Sequence, residues 1–344
     1  MTDDTISKKS EPANLHSLLG EALPPDLNSH DYHRFCREER NFAALLYHLL
    51  LQDGGIKKFM AAIKAQMPAD SAGTDPADID PANIRIYFEY AHARDLWHLA
   101  GKRTNPNQCY REAIIALLGG PSALMDYLRS VQILDFNSFF GASPKASEKS
   151  IQMPARWRMR PGPGPDWLQK KRTELPAIKP EEWLAFAKRA VILKWAFNVK
   201  PDLVIHTLPT KTMPTKAICI EAKLESKESV YSAELFNGET FQMRQTEIQR
   251  FVLEKLLGYR TQFVMLTKGP STGKQAAKSN GAGADTQAAK QGPKWHDFFE
   301  AGEQHPAAEP ATECAWPAVF DALSGPPLPP FVPQWLVEMA KTAS

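Results

Sequence analysis

Residues 200–223 read KPDLVIHTLPTKTMPTKAICIEAK. Two β-rich runs, Asp202 to Thr207 and Ala217 to Leu224, flank a stretch punctuated by Pro209 and Pro214. Side chains alternate between the faces of a strand. Ile218, Ile220, Ala222 and Leu224 therefore share an apolar face, while Glu221 and Lys223 stand side by side on the other. Pro209 follows Asp202 by seven residues and Pro214 precedes Glu221 by seven. A hairpin folded symmetrically about that loop sets Asp202 opposite Glu221, within reach of one ligand.

Two carboxylates about 4 Å apart repel by roughly 4 kcal/mol at an effective dielectric of 20. A divalent cation between them turns the repulsion into attraction, and a small set of oxygen ligands suits Mg²⁺ or Mn²⁺. An adjacent lysine can polarise a water or neutralise charge that builds up on a phosphoryl group. The chemistry these residues point to is phosphodiester hydrolysis, with Asp202 and Glu221 as metal ligands and Lys223 beside the attacking water.

Pro201-Asp202, followed by Glu221-Ala222-Lys223 on an apolar strand, resembles the motif of the PD-(D/E)XK nuclease superfamily. The resemblance implies an α/β (α+β) fold: a restriction-endonuclease-like core with a central mixed sheet flanked by helices, here with a large helical elaboration. It implies a Mg²⁺- or Mn²⁺-dependent nuclease, with DNA expected ahead of RNA. Restriction or anti-phage defence in a prokaryote follows by analogy alone. A second copy of the chain or a partner defence subunit is the associate such a role suggests. The alternative from another class is a nuclease-like subunit that binds nucleic acid or a partner without cutting.

The same superfamily places an acidic residue on a helix before the hairpin. Phe35, Phe42, Leu45, Leu46, Leu49 and Leu50 recur at helical steps and Gly54-Gly55 ends the run, which predicts a helix over 34–51. Glu39 lies in phase with Phe42, Leu46 and Leu50 and is the preferred third metal ligand; Glu38, Glu181 and Glu182 are the rivals. The family also has a strand before Asp202, for which Val191 to Phe197 is a candidate that reads equally as the end of a helix. On the helix expected over 239–257, closed by Gly258, Gln245 and Gln249 align with Val252 and Leu256. A glutamine there resembles what several nuclease families of this fold carry, so Gln249 is assigned a catalytic part. A strand from Thr261 to Thr267 follows.

Further helices are expected over 81–100 and 107–130, the second interrupted by Gly119-Gly120-Pro121, and from Pro180 to about Trp195. The segment 153–172, MPARWRMRPGPGPDWLQKKR, is rich in arginine and lysine. Arg156, Arg158 and Arg160 are candidate phosphate contacts there, with Trp157 stacking on a base; the alternative is a loop anchored by its tryptophans. Gly269-Pro270-Ser271-Thr272-Gly273-Lys274 fails as a P-loop, having one residue too few between its glycines and Gln275 where Ser or Thr is needed.

The chain thus divides into a polar lead-in (1–30), a mainly helical region giving the first core helix and an insertion (31–180), the motif-bearing core (181–268), a Gly/Ala/Ser/Lys/Gln linker (269–293) and a Trp- and Pro-rich segment packing back on the core (294–344). Its 344 residues, 41 Lys+Arg and 39 Asp+Glu suit a globular protein and exclude a histone-like polycation. The densest apolar run, Phe42 to Leu51, is too short to span a bilayer. With no apolar leader near Met1 and four scattered cysteines, a cytoplasmic location without a disulfide framework is expected. His92, His98 and Cys109 match no zinc module and read as ordinary helix residues.

Overall fold

The computed structural model describes residues 39–66, 83–142, 149–157, 178–207, 216–223, 228–235, 237–267 and 312–323. Its centre is a five-stranded mixed sheet in the order β1 (Ile84–Phe88), β2 (Leu203–Thr207), β3 (Lys216–Ala222), β6 (Arg260–Thr267), β7 (Thr312–Ala315). β1, β2 and β3 are antiparallel neighbours; β6 runs parallel to β3, and β7 parallel to β6. A separate two-stranded hairpin, β4 (Val230–Glu234) and β5 (Thr240–Arg244), lies between β3 and β6 in the chain.

Alternation along β2 and β3 separates two faces. Leu203, Ile205, Ile218, Ile220 and Ala222 pack against α1 (Glu39–Leu50), α2 (Gly55–Gln66) and α9 (Trp316–Leu323), through Phe42, Leu46, Phe59, Trp316 and Phe320. The oxygen of the Gln66 side chain accepts the Ala315 N–H at 2.7 Å and ties α2 to the β7 end of the sheet. On the other face Val204, Ala217, Cys219 and Phe263 meet Leu253 in the π turn (Phe251–Leu256) that continues α8 (Gln245–Arg250) and stops at Gly258, φ 71°.

A third core belongs to a helical body inserted between β1 and β2: α3 (His92–Ala100), α4 (Pro106–Leu118), α5 (Ser122–Ser130), α6 (Ile133–Phe139) and α7 (Pro180–Ala196). Pro106 and Pro180 take the first turns of α4 and α7, where a missing N–H leaves no intrahelical bond unmade. The body also packs on the hairpin and on α8 through Ala233, Phe241, Met243, Ile248, Phe251 and Val252. Among the described residues no helix is long and apolar enough to cross a membrane.

Four expectations need correction. Residues 84–88 form a strand, not the start of a helix: Ile84, Ile86 and Phe88 alternate with Arg85 and Tyr87, and the latter pair faces the side of His206 and Val204. This strand, rather than Val191 to Phe197, precedes β2 in the sheet; 191–196 is the last part of α7 and Phe197 its cap. The helix expected over 239–257 begins only at Gln245, because Thr240–Arg244 pairs with β4.

Trp157 is the fourth. It is 1% exposed and stacks on Phe140 at 4.2 Å and 11°, inside the core of the helical body. A ring so buried cannot stack on a base, so it is an anchor of the body; Arg156 beside it is exposed. Removing a packed aromatic typically costs about 3–5 kcal/mol, and an exposed charge about 0.5 or less. Urea unfolding of Trp157→Ala is expected to show a loss in that upper range, with Arg156→Ala near wild type.

Candidate active site at the open end of the β2–β3 hairpin

Leu203 pairs with Ile220 and Thr207 with Lys216, the register of a hairpin symmetric about its loop. Asp202 and Glu221 are one step beyond the Leu203–Ile220 pair. The Asp202 Oδ2 accepts the N–H of Ala222 at 2.8 Å, and its carbonyl accepts the N–H of Glu89 at 2.8 Å. The acid is thus held between the ends of β1 and β3. Lys223 follows β3 and its N–H donates to the Leu266 carbonyl at 2.8 Å, extending the contact with β6.

Glu221 is 2% exposed, and its two oxygens are gripped by three donors. Lys223 Nζ and Gln245 Nε2 each donate to Oε1 at 2.6 Å, and Gln249 Nε2 donates to Oε2 at 2.6 Å. Gln249 is fully buried and is itself oriented by the Cys219 thiol, which donates to its Oε1 at 3.8 Å. Both glutamines project from the first two turns of α8, four residues apart on one helical face.

The hairpin fixes where α8 starts. The Ser229 carbonyl accepts the Gln245 N–H at 2.9 Å, and Glu228 accepts both the N–H of Thr246, at 2.8 Å, and its hydroxyl. Glu247 turns back to accept the N–H of Arg244 at 2.7 Å. These carboxylates occupy donors that a helix start leaves unmatched. Tyr231 of β4 lies close enough for the Glu221 charge, after burial, to push its phenol up, with Lys223 opposing. The hairpin's contribution to the site left no signal in the sequence beyond the apolar alternation of Phe241 and Met243.

The electrostatics are those of an acid held under strain of charge. Burial first, and the Asp202 carboxylate second, push Glu221 from 4.5 up to about 7, against the pull of Lys223 and Gln249. The Cys219 thiol is pushed well up by burial and then by Glu221 and Asp202, which leaves it a neutral hydrogen-bond donor.

The other expected site residues fare differently. Glu39 is the first residue of α1, a helix on the opposite face of the sheet; its side chain, like the whole of Glu38, lies outside the described residues. Glu182 is occupied at the start of α7, where its Oε2 accepts the Lys179 N–H at 3.0 Å, and Glu181 is exposed in the same turn. Neither is brought to the hairpin. Arg158 and Arg160 lie outside the described residues. His92 stacks on Tyr90 at 5.3 Å, and among the described residues no three His, Cys, Asp or Glu side chains group around a point fit for a metal. Glu89 was not singled out from the sequence. It ends β1 at φ 47°, and its carboxylate meets Arg40 at 3.4 Å and Lys200 at 3.6 Å.

The raised Glu221 carboxyl binds its proton more tightly in the folded than in the unfolded chain. Its contribution to stability is therefore favourable at low pH and is lost as pH rises from about 4.5 through about 7. Thermal unfolding in EDTA is expected to show a midpoint that falls across that window, and Glu221→Gln is expected to flatten the fall. An equal slope in the variant would assign the effect elsewhere.

Compared with known proteins, the chain matches no family model, no curated protein and no solved structure.

Proposed function

We propose that the chain is a metal-dependent nuclease of the PD-(D/E)XK type that hydrolyses phosphodiester bonds, with DNA the expected substrate. One observation carries the reading: a buried, reluctantly ionised Glu221 adjoins Asp202 across the hairpin and Lys223 along the strand. A purely structural role would be served better by an apolar residue at 221, since burying charge costs several kcal/mol per ion before pairing. Further support comes from the order of elements. A helix and a strand precede the hairpin, and helix α8 and parallel strand β6 follow it, as the resemblance implies. The helical body then accounts for the long separation of α1 from the hairpin.

The donor set fits a hard divalent cation. Mg²⁺ is usually bound by one or two carboxylates, with water and substrate phosphate completing the shell. Asp202 and Glu221 would hold it, with Glu39 as the proposed third acid. Their mutual repulsion, seen in the raised Glu221 carboxyl, is what such a cation relieves. When bound, Mg²⁺ or Mn²⁺ supplies Lewis acidity at a phosphoryl oxygen and a more acidic water.

The chain's own residues supply the remainder. Lys223, an ammonium on the Glu221 carboxylate, offers hydrogen bonds and positive charge where an attacking oxygen and a five-coordinate phosphorus gather negative charge. Gln245 and Gln249 fix the rotation of the Glu221 carboxylate with neutral donors, so its oxygens present one orientation without added charge. Near-complete burial of Glu221 and Gln249 keeps competing water from the pair and strengthens each of these interactions.

Purified chain with Mg²⁺ or Mn²⁺ is expected to cut DNA, and EDTA to stop it. Asp202→Ala, Glu221→Ala and Lys223→Ala are each expected to lower the rate by about 10²-fold or more, with unchanged circular dichroism. Equal cutting by Asp202→Ala and Lys223→Ala would refute the assignment. Calorimetric titration with Mn²⁺ separates the non-cutting alternative: absence of binding, or binding indifferent to Glu221→Ala, favours the inert subunit.

A further inference from the structure

We propose that Arg40 and Lys200, gathered by Glu89 at the end of β1, are the phosphate-contacting pair that brings a nucleic-acid strand to Asp202 and Glu221 at the open end of the β2–β3 hairpin. The inference rests on the nuclease reading and adds to it the residues that meet the substrate backbone.

A polyanion approaching two carboxylates needs compensating cations. The nearest one, Lys223, is already committed to Glu221 at 2.6 Å and is only 8% exposed. The rim has to supply the others. Lys200 precedes Asp202 by two residues, and Arg40 stands in the first turn of α1, next to Glu39. These cations come from segments far apart in the chain and converge on a single carboxylate, that of Glu89: Arg40 Nε at 3.4 Å on Oε1, Lys200 Nζ at 3.6 Å on Oε2. The Glu89 N–H in turn donates to the Asp202 carbonyl, so the cation holder is fastened to the proposed metal ligand itself.

Glu89 is the only non-glycine residue with positive φ among the described residues, at 47°. A long side chain in that region is held there by its surroundings, and such strain gathers where a side chain has to be aimed. Arg40 and Lys200 are 72% and 40% exposed, and their contacts with Glu89 are long. Exposed pairs of this kind hold weakly. A phosphodiester oxygen can replace the carboxylate, and because Arg40 engages Glu89 through Nε, its guanidinium has terminal nitrogens to offer the phosphate.

The test is the binding of a fluorescein-labelled 20-base-pair DNA duplex and of its single strand to the full chain in EDTA, by anisotropy, across a salt series. Against wild type, Arg40→Ala/Lys200→Ala is expected to bind at least about 10-fold more weakly, with a log–log salt slope smaller by about 2 for the duplex, near 0.9 per phosphate contact. In Mg²⁺ the KM for cleavage should rise more than kcat falls. Lys57→Ala/Lys58→Ala removes the same charge from exposed positions on α2, which packs toward β7 at the far edge of the sheet, and should change affinity less than about twofold. Should the alanine pair disturb the fold by circular dichroism, Arg40→Gln/Lys200→Gln repeats the measurement. Equal slopes and affinities for the two double variants would overturn the clamp and leave the nuclease reading standing. A wild-type chain that neither binds nor cuts DNA would remove that reading, and the clamp with it.

Discussion

One buried carboxylate sets the terms for the surrounding structure. Glu221 sits 2% exposed in a strand whose neighbours are apolar, where an isolated charge would be untenable. Three donors meet it from two places in the fold: Lys223 directly after β3, and Gln245 and Gln249 four residues apart on α8. The docking of α8 on the sheet is therefore polar as well as apolar. Leu253 supplies the greasy contact two turns on from Gln245, and the π turn over Phe251–Leu256 lies between the glutamines and the start of β6. Widened turns of this kind are frequent beside functional sites.

The opposite flank of α8 meets the helical body. Ile248, Phe251 and Val252 share a core with Phe186, Val191 and Trp195 of α7, and Trp195 stacks on Phe241 of β5 at 5.6 Å and 7°. Lys188 of α7 pairs with Glu239 just before β5 at 2.6 Å, which also draws the Glu239 carboxyl below its ordinary range. The hairpin is gripped from α7 on one side and grips the start of α8 on the other. A chain of rigid contacts thus connects the body's interior to the amides that hold Glu221.

The β2–β3 hairpin was legible because its information is local. The alternation of Ile218, Ile220 and Ala222 with Glu221 and Lys223, and the even spacing of two prolines, together specify strand, face and register. The same logic failed at residues 84–88. Ile84-Arg85-Ile86-Tyr87-Phe88 is as strand-like as β2, but it abuts a sequence that does form a helix, and its partner lies more than a hundred residues away. Local pattern carries no record of such a pairing. β5 was hidden in a similar way, because Phe241 and Met243 are compatible with the helix that begins at Gln245. Trp157 shows the limit of composition: the arginines around it suggested a surface, and only packing against Phe140 reveals a core. Glu89 was invisible because its φ and its two cationic partners exist only in the folded chain.

The N–H of Tyr90 donates to the carbonyl of Pro201 at 2.9 Å, so the helical body leaves the sheet and returns to it at a single point. β1 and β2 are immediate neighbours in space and can register only after the ends of that long excursion have met. Closing so large a loop of unfolded chain is entropically slow, whereas a preassembled body delivers both ends together. The β1–β2 pairing is therefore favoured once the insertion between them has condensed, whereas the local β2–β3 hairpin has no such dependence. The first strand of the sheet is thus encoded early in the chain and depends on the middle of the chain to bring it a partner.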